Sequence, residues 1–296
     1  MKEVIVTGPH KAEVRDVPMP KIENKHDVLI KMQSAGVCGS DHHIYHGTNP
    51  CSTYPRIPGH ENAGIVTAVG SAVTTVKTGD HVIVDLIMTC GECYQCKIGR
   101  KNVCESVRVR GSGADDVVFI LGTGTIGSII LQTCKAKGCK TVICCDVSDS
   151  SLERAKKYGA DYVINSKREN LLERIQTITK GRGVTIAFDS ACFKGSLTLV
   201  MQPGIVCNAG RIVPMGFVTE PESITQAMIN QREIDIIGSR MSCCQFEPTI
   251  KHIENGDFDL EGIATNFIKF SNIQEVFYHM EHPDPSVKKM VILFDE

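Results

Sequence analysis

From Val117 onward the chain alternates between short unbroken apolar runs and longer stretches in which apolar residues recur every three or four positions. Runs of the first kind predict strands buried on both faces, at 117–121, 141–146, 161–165, 184–189, 211–217 and 233–239. Stretches of the second kind predict helices near 126–137, 150–158, 168–179 and 193–202. Strand and helix in alternation are what a parallel sheet covered on both faces requires. Residues 1 to about 110 have a different texture. Val4-Ile5-Val6, Val28-Leu29-Ile30 and Val82-Ile83-Val84 are separated by turn residues such as Pro18, Pro20 and Gly79-Asp80, which predicts a β-rich region. Asn62 to Val69, with small and branched residues around Gly64, reads as a barrel-like strand. A further helix is expected at 272–280 and a last strand at 289–294. The fold class expected is therefore α/β: a β-rich part followed by a doubly wound one.

One junction in this pattern carries chemistry. The run Val117 to Leu121 leads directly into Gly122-Thr123-Gly124-Thr125-Ile126-Gly127, a helical stretch follows, and the next apolar run ends at Asp146. Gly122 permits the tight turn, Gly124 lets backbone approach a pyrophosphate, and Gly127 lets the helix sit close to the strand. A helix that starts at Thr125 and Ile126 presents N–H groups and a positive dipole end to phosphates. Asp146 stands 19 residues after Gly127, where an acid meets a ribose 2′-hydroxyl and repels a 2′-phosphate. The expected cofactor is NAD rather than NADP. A glycine motif alone also occurs as an ordinary turn, and the strand, helix and acid in register are what favour the nucleotide reading.

The net charge of −2 and a charged share of 22% leave no basic footprint for nucleic acid and no polybasic membrane patch. No apolar run approaches membrane-spanning length, and Met1-Lys2-Glu3-Val4 does not read as a signal peptide, so a cytoplasmic location is expected. Fourteen cysteines in a chain of 296 residues then point to metal ligation and buried thiols rather than disulfides. Cys90, Cys93, Cys96 and Cys104 form a C-x2-C-x2-C-x7-C array, whose four thiolates suit a closed, structural zinc. A second constellation is dispersed: Cys38-Gly39-Ser40-Asp41-His42-His43 and Gly59-His60-Glu61. Thiolate, imidazole and carboxylate together can hold a zinc with one exchangeable position, and a metal-free Cys–His pair explains the spacing equally well. In the first case Asp41 would orient His60, and Ser40 and His43 would move a proton toward solvent. His42 and His46 read as surface residues, Lys288-Lys289 as a solvated face, and Cys144 and Cys145 as core. Cys192 reads as a packing residue, while Asn49, Cys51 and Tyr54 serve as pocket rim or as plain loop.

Taken in order, Cys38-Gly39-Ser40-Asp41, Gly59-His60-Glu61, the four-cysteine array and Gly122-x-Gly124-x-x-Gly127 resemble the zinc-dependent medium-chain dehydrogenase/reductase family. His43-Ile44-Tyr45-x-Gly47-x-Asn49-Pro50, Tyr54-Pro55-Arg56 and Met215-Gly216-Phe217 are similar to its polyol, threonine and starvation-sensing branch. The resemblance implies a GroES-like catalytic domain and a Rossmann NAD-binding domain. It also implies a catalytic zinc held at Cys38, His60 and Glu61, with Asp41 behind them, Ser40 touching the substrate oxygen and His43 as outer relay. Cys90, Cys93, Cys96 and Cys104 match the structural zinc lobe; Gly122, Gly124, Thr125, Ile126, Gly127 and Asp146 match the NAD site. The partners implied are a small alcohol or ketone and further copies of the chain, a dimer or tetramer joined through a sheet edge such as 233–239.

The chain departs from that family in one place. Only Glu105 to Asp116 separates the last array cysteine from the first nucleotide strand, and Gly111-Ser112-Gly113 stands where relatives carry several tens of residues, including a further zinc-shell acid. The domains expected are residues 1–111, a shortened catalytic part; 112–253, the nucleotide-binding part; and 254–296, a return segment. The motifs argue for reversible oxidation of a secondary alcohol, a polyol or sugar-derived acid. The gap argues for the alternative, a non-catalytic NAD-binding chain with only a structural zinc lobe.

Overall fold

Five consecutive apolar residues can be buried only between two layers, and this is how β6 (Val117–Leu121) is used in a computed structural model. That model describes residues 1–48, 53–85, 116–239, 245–284 and 286–294. Its side chains alternate between two cores. Phe119 and Leu121 enter one with Ile143 and Cys145; Val118 and Ile120 enter the other with Val142 and Cys144. Phe119, Ile120 and Ile143 have no exposed surface, and each such side chain contributes about 1.5–3 kcal/mol by its burial. Cys90, Cys93, Cys96, Cys104, Gly111–Gly113, Asn49, Cys51 and Cys243-Cys244 lie outside the described residues, so the zinc-lobe expectation lies outside them too.

The chain divides into two units, Met1–Leu86 with Ala264–Glu296, and Ile87–Ile263. The second unit holds β6, α2 (Thr125–Ala136), β7 (Thr141–Asp146), α3 (Asp149–Lys157), β8 (Tyr162–Asn165), α4 (Leu171–Thr179) and β9 (Val184–Asp189). There follow α5 (Ser196–Val200), β10 (Val206–Pro214), α6 (Gln226–Asn230), β11 (Asp235–Ile236) and α7 (Phe246–Glu254). Its six strands run parallel in the order β11-β10-β9-β6-β7-β8. Order reverses beside β6, and in open sheets ligands bind at that switch point. Helix starts are fixed locally: the Ser148 and Asn170 side chains accept from the N–H groups of Ser151 and Glu173.

Two strand expectations require correction. The expected strand at 211–217 begins at Val206 and ends at Pro214, with a bulge between Val206 and Arg211. Ala209 adopts φ 55° there, and a side chain at Gly210 would strike Val206, so irregular backbone hides the pairing from a period-two pattern. The expected strand at 233–239 shrinks to Asp235–Ile236 at the edge of the sheet, because only these two residues pair with β10. The crossing back to the first unit falls at Ala264. The preceding residues stay with the second unit through Gln132, which exchanges hydrogen bonds of 2.6 and 3.0 Å with the Asp259 backbone, and through Tyr158, which donates to the Glu261 carbonyl at 2.5 Å.

In the first unit β1 (Lys2–Gly8) and β2 (Lys11–Asp16) form an antiparallel hairpin. A five-stranded sheet has the order β12 (Asn266–Lys269), β13 (Met290–Leu293), β3 (Val28–Gly36), β4 (Glu61–Val69) and β5 (His81–Ile83). The C-terminal segment thus supplies two of its strands, and Val291 and Ile292 pair with Gly36 and Ala35. Gly64 is needed in β4 because a Cβ there would lie 2.3 Å from the Lys31 carbonyl. Among the described residues the unit also holds the α-helices α1 (Gly39–Tyr45) and α8 (Gln274–Glu281). The polar sequence of α1 has no apolar stripe. It forms because Asp41 at its third position accepts the Cys38 N–H at 2.9 Å and because Ile44 and Tyr45 are buried.

Candidate functional site

In the second unit the glycine turn shows a division of labour residue by residue. Gly122 has φ +86°, and a Cβ there would lie 2.8 Å from Ala191 backbone. A Cβ at Gly127 would lie 2.0 Å from the Gly122 carbonyl oxygen, so α2 touches the turn directly. Gly124, the N-cap of α2, faces open space: nothing lies within 4 Å of a Cβ built on it. A Gly cap offers the helix no side-chain acceptor, and Thr125, Ile126 and Gly127 open the first turn at an uncovered end.

Asp146 sits at the end of β7 beside this turn. One of its carboxylate oxygens accepts from the Thr123 N–H and hydroxyl at 2.8 and 3.0 Å; the other accepts the Ser148 N–H at 2.9 Å. A carboxylate has about four acceptor positions, so roughly one remains for a ligand hydroxyl. Ser190, which the sequence reading passed over, donates to the Gly122 and Leu121 carbonyls at 2.7 and 3.0 Å and pins the turn from the neighbouring strand. Beside it Asp189 is buried; burial pushes its carboxyl above the ordinary value although Ser196 donates to it at 2.6 Å. No side-chain period marks either residue, because Ser190 answers to backbone carbonyls of a strand distant in sequence and Asp189 to the Ser196 hydroxyl of the helix that follows. Cys144 and Cys145 are fully buried in the two cores, and burial raises the Cys145 thiol to about 11.

The first unit gathers Cys38, His60 and Glu61, whose ligand atoms all lie within 4.8 Å of one another. Cys38 precedes α1, while His60 and Glu61 stand at the start of β4. Asp41 joins the two segments. Its buried carboxylate accepts the N–H of Cys38 at 2.9 Å and of Gly59 at 3.2 Å, and lies 3.5 Å from His60 Nδ1. Burial opposes its ionisation, yet His60 and these two backbone donors together hold the carboxyl below its ordinary value. His60 is in turn raised to about 10, by Asp41 first and then by Cys38. The Cys38 thiol is lowered, chiefly by His60. Cys38 and Asp41 thus both face His60, and a bound cation would take the place of a proton in this cluster.

The Ser40 hydroxyl lies 3.3 Å from His60 Nε2, on the ring edge opposite Asp41. His43 is exposed and shares a 2.8 Å hydrogen bond with the Thr48 hydroxyl. Glu61 meets Lys289 in an ion pair, and the Lys289 side chain is only 17% exposed. This corrects the reading of Lys288-Lys289 as a solvated face: β13 lies next to β3, whose Gly36 end pairs with Glu61, and that brings Lys289 inward. His42 and His46, expected on the surface, are half-buried, and burial lowers His42. Tyr54 donates to the Ile44 carbonyl and so braces α1. Among the described residues no helix is long and apolar enough to cross a membrane.

Residues 24–134 match the alcohol dehydrogenase GroES-like domain family and residues 125–255 the zinc-binding dehydrogenase family. The chain is 31% identical to the starvation-sensing protein RspB of Escherichia coli K12, with all of both chains covered. That alignment runs over 346 positions against 296 residues here, a difference of 50. It is 30% identical to the sorbitol dehydrogenase of Bacillus subtilis, with 93% of this chain and 92% of that one covered. The crystal structure of the rspB alcohol dehydrogenase of E. coli CFT073, complexed with NADH, superposes with a TM-score of 0.86 at 30% identity, covering 99% of each chain.

Proposed function

The chain belongs to the zinc-dependent alcohol and polyol dehydrogenases of the medium-chain dehydrogenase/reductase family, and we propose that it interconverts a secondary alcohol and a ketone with NAD as the hydride acceptor. The observation that carries this reading is the convergence of Cys38, His60 and Glu61 within 4.8 Å around a carboxylate, Asp41, that a mere nucleotide binder has no use for. A thiolate, an imidazole and a carboxylate are the donor set of a catalytic zinc with an open position, and these three would hold it. The bound metal would supply Lewis-acid activation of the substrate hydroxyl, and the nicotinamide would supply the hydride acceptor.

The protein's own residues do the remainder. Asp41 fixes the ring orientation of His60 and the backbone of Cys38, so both donors face one point. Ser40, on the open edge of the His60 ring, takes the substrate proton and hands it toward His43, whose exposed ring delivers it to water. The uncovered Gly124 and the start of α2 receive the pyrophosphate, with Thr125, Ile126 and Gly127 supplying backbone there. The last acceptor position of Asp146 takes one ribose hydroxyl and repels a 2′-phosphate, hence NAD over NADP. Residues 1–111 with 264–296, and 112–263, are the proposed catalytic and nucleotide-binding domains, the return falling at Ala264 rather than at the expected 254. Cys90, Cys93, Cys96 and Cys104 are the proposed structural zinc ligands, and the homo-oligomer is proposed to form through the β11 edge, where Ile236 is exposed.

One observation favours a second reading. The RspB alignment exceeds this chain by 50 positions, and we place that shortfall at the joint at 105–116, where the family resemblance implies a further zinc-shell acid. A chain that binds NAD but turns nothing over would follow. NAD reduction on a panel of polyols and sugar acids separates the two. Turnover that Cys38→Ala abolishes together with one zinc per chain supports the dehydrogenase. NADH binding without turnover, with a zinc content that Cys38→Ala leaves unchanged, supports the remnant.

A further inference from the structure

A second cluster of metal-binding groups stands in the first unit, and the dehydrogenase reading makes no use of it. His10, His46 and Glu281 each present a ligand atom, all within 4.8 Å of one another. Donors about 2.1 Å from one tetrahedral ion stand about 3.4 Å apart, so side-chain shifts of about an ångström bring these three onto a common centre. They come from three separate elements: the turn between β1 and β2, the residue that ends α1, and the last residue of α8.

Backbone geometry holds these elements together. The His10 N–H donates to the Tyr45 carbonyl at 2.8 Å, and Gly47 leaves room for Pro9, whose Cγ would lie 2.7 Å from a Cβ there. Tyr45 is buried against Phe277 of α8, with ring centroids 5.2 Å apart. His10 is kept at φ 58°, a conformation that an unbranched polar residue tolerates but does not prefer. The rings of His10 and His46 are 4.7 Å apart, and that of His42 stacks on His46 at 5.9 Å.

The hydrogen-bond pattern suits a cation. His46 Nε2 lies 3.2 Å from the Met280 carbonyl, which can only accept, so Nε2 is the donor there. Donation of one ring N–H to a backbone carbonyl is how metal-ligating histidines are oriented. His10 Nδ1 lies 2.6 Å from a Glu281 carboxylate oxygen, so an imidazole nitrogen and a carboxylate already face each other.

We propose that His10, His46 and Glu281 form a second metal site, for a divalent transition ion of the zinc, cobalt or nickel class, separate from the Cys38–His60–Glu61 cluster. Two imidazoles and one carboxylate, with no thiolate, select this class over the hard ions magnesium and calcium. The ion clasps the β1–β2 turn and the end of α1 to the end of α8.

The test is calorimetric titration of the full-length chain, as purified and dialysed, with Zn²⁺ alone. Elemental analysis of each variant covers a site that arrives filled. His10→Asn is the main variant because Asn accepts the left-handed backbone, and Glu281→Gln keeps shape while removing charge. Circular dichroism establishes that both are folded. Expected is one zinc equivalent that each substitution weakens at least tenfold, or removes from the purified protein, and that Cys38→Ala leaves in place. Titrations and zinc contents of His10→Asn and Glu281→Gln that superimpose on the unsubstituted chain would overturn the proposal. So would loss of that equivalent in Cys38→Ala alone. Neither result depends on turnover, so failure here and failure of the dehydrogenase reading are distinguishable.

Discussion

Gly127 and Gly124 are three residues apart in one motif, and adding the same methyl group to each has opposite consequences. A Cβ at Gly127 would stand 2.0 Å from the Gly122 carbonyl oxygen, 3.0 Å from its carbon and 3.0 Å from the Ser190 hydroxyl. The first two are backbone, so relief requires α2 to lift from the turn by about an ångström, an overpacking of about 3 kcal/mol. The better helix propensity of alanine returns about 1 kcal/mol, for a net loss of about 2 kcal/mol. In a domain of this size that lowers the midpoint of thermal unfolding by about 4–8 °C. At Gly124 a Cβ meets nothing within 4 Å, and φ is −67°, which any residue adopts. Gly124→Ala therefore costs only the poorer N-cap preference of alanine, under about 1 kcal/mol and under about 4 °C, while the methyl fills the space assigned to the pyrophosphate and weakens NADH at least tenfold, about 1.4 kcal/mol. Differential scanning fluorimetry and NADH fluorescence titration read the two effects. A Gly127→Ala variant as stable as its parent, or a Gly124→Ala variant that binds NADH unimpaired, would refute the assignment of these glycines.

Four other outcomes are expected. In metal-stripped protein, iodoacetamide modifies Cys38 more slowly after His60→Ala, because His60 is the main group that lowers the Cys38 thiol; peptide mass mapping gives the rate, and an unchanged rate counts against the pairing. The Asp41–His60 pair stabilises metal-stripped protein above the ordinary Asp value of 3.8, where Asp41 is charged, and below the ordinary His value of 6.5. That contribution fades as pH rises through about 10 and His60 loses its proton, so the difference in urea midpoint between the unsubstituted chain and Asp41→Asn is largest near pH 5 and shrinks on both sides. Asp146→Ser raises the ratio of NADP to NAD affinity, and because Thr123 loses its acceptor it also lowers the melting temperature; an unchanged cofactor ratio would leave Asp146 only the structural role. Lys289→Met frees Glu61 from its ion pair and changes the affinity for the zinc held with Cys38 and His60, measured by competition with a chelator, whereas a surface lysine would leave it unaltered.

The nucleotide-binding unit was largely legible in the chain because its information is local. Unbroken runs such as Val117–Leu121 and Thr141–Cys145, short and bounded by turn residues, read as strands buried on both faces, and the glycines between them answer to backbone conformation within a few residues. Where pairing turned irregular, as in the bulge after Val206 and at the two-residue edge strand, the period was lost and the expected bounds shifted. The candidate site was legible in part. Cys38, Asp41 and His60 announce themselves by residue type and spacing, yet α1, which carries Asp41, has no helical stripe and exists because a buried carboxylate ties Cys38, Gly59 and His60 together. The residues that nothing in the sequence marked are those whose meaning depends on a distant strand or helix. Lys289 becomes the partner of Glu61 because β13 adds to β3, and His10 meets Glu281 because the first turn of the chain lands on the end of α8. Hydrophobic period and backbone freedom are written along the chain; which charge faces which is decided only when the C-terminal segment returns to the first unit.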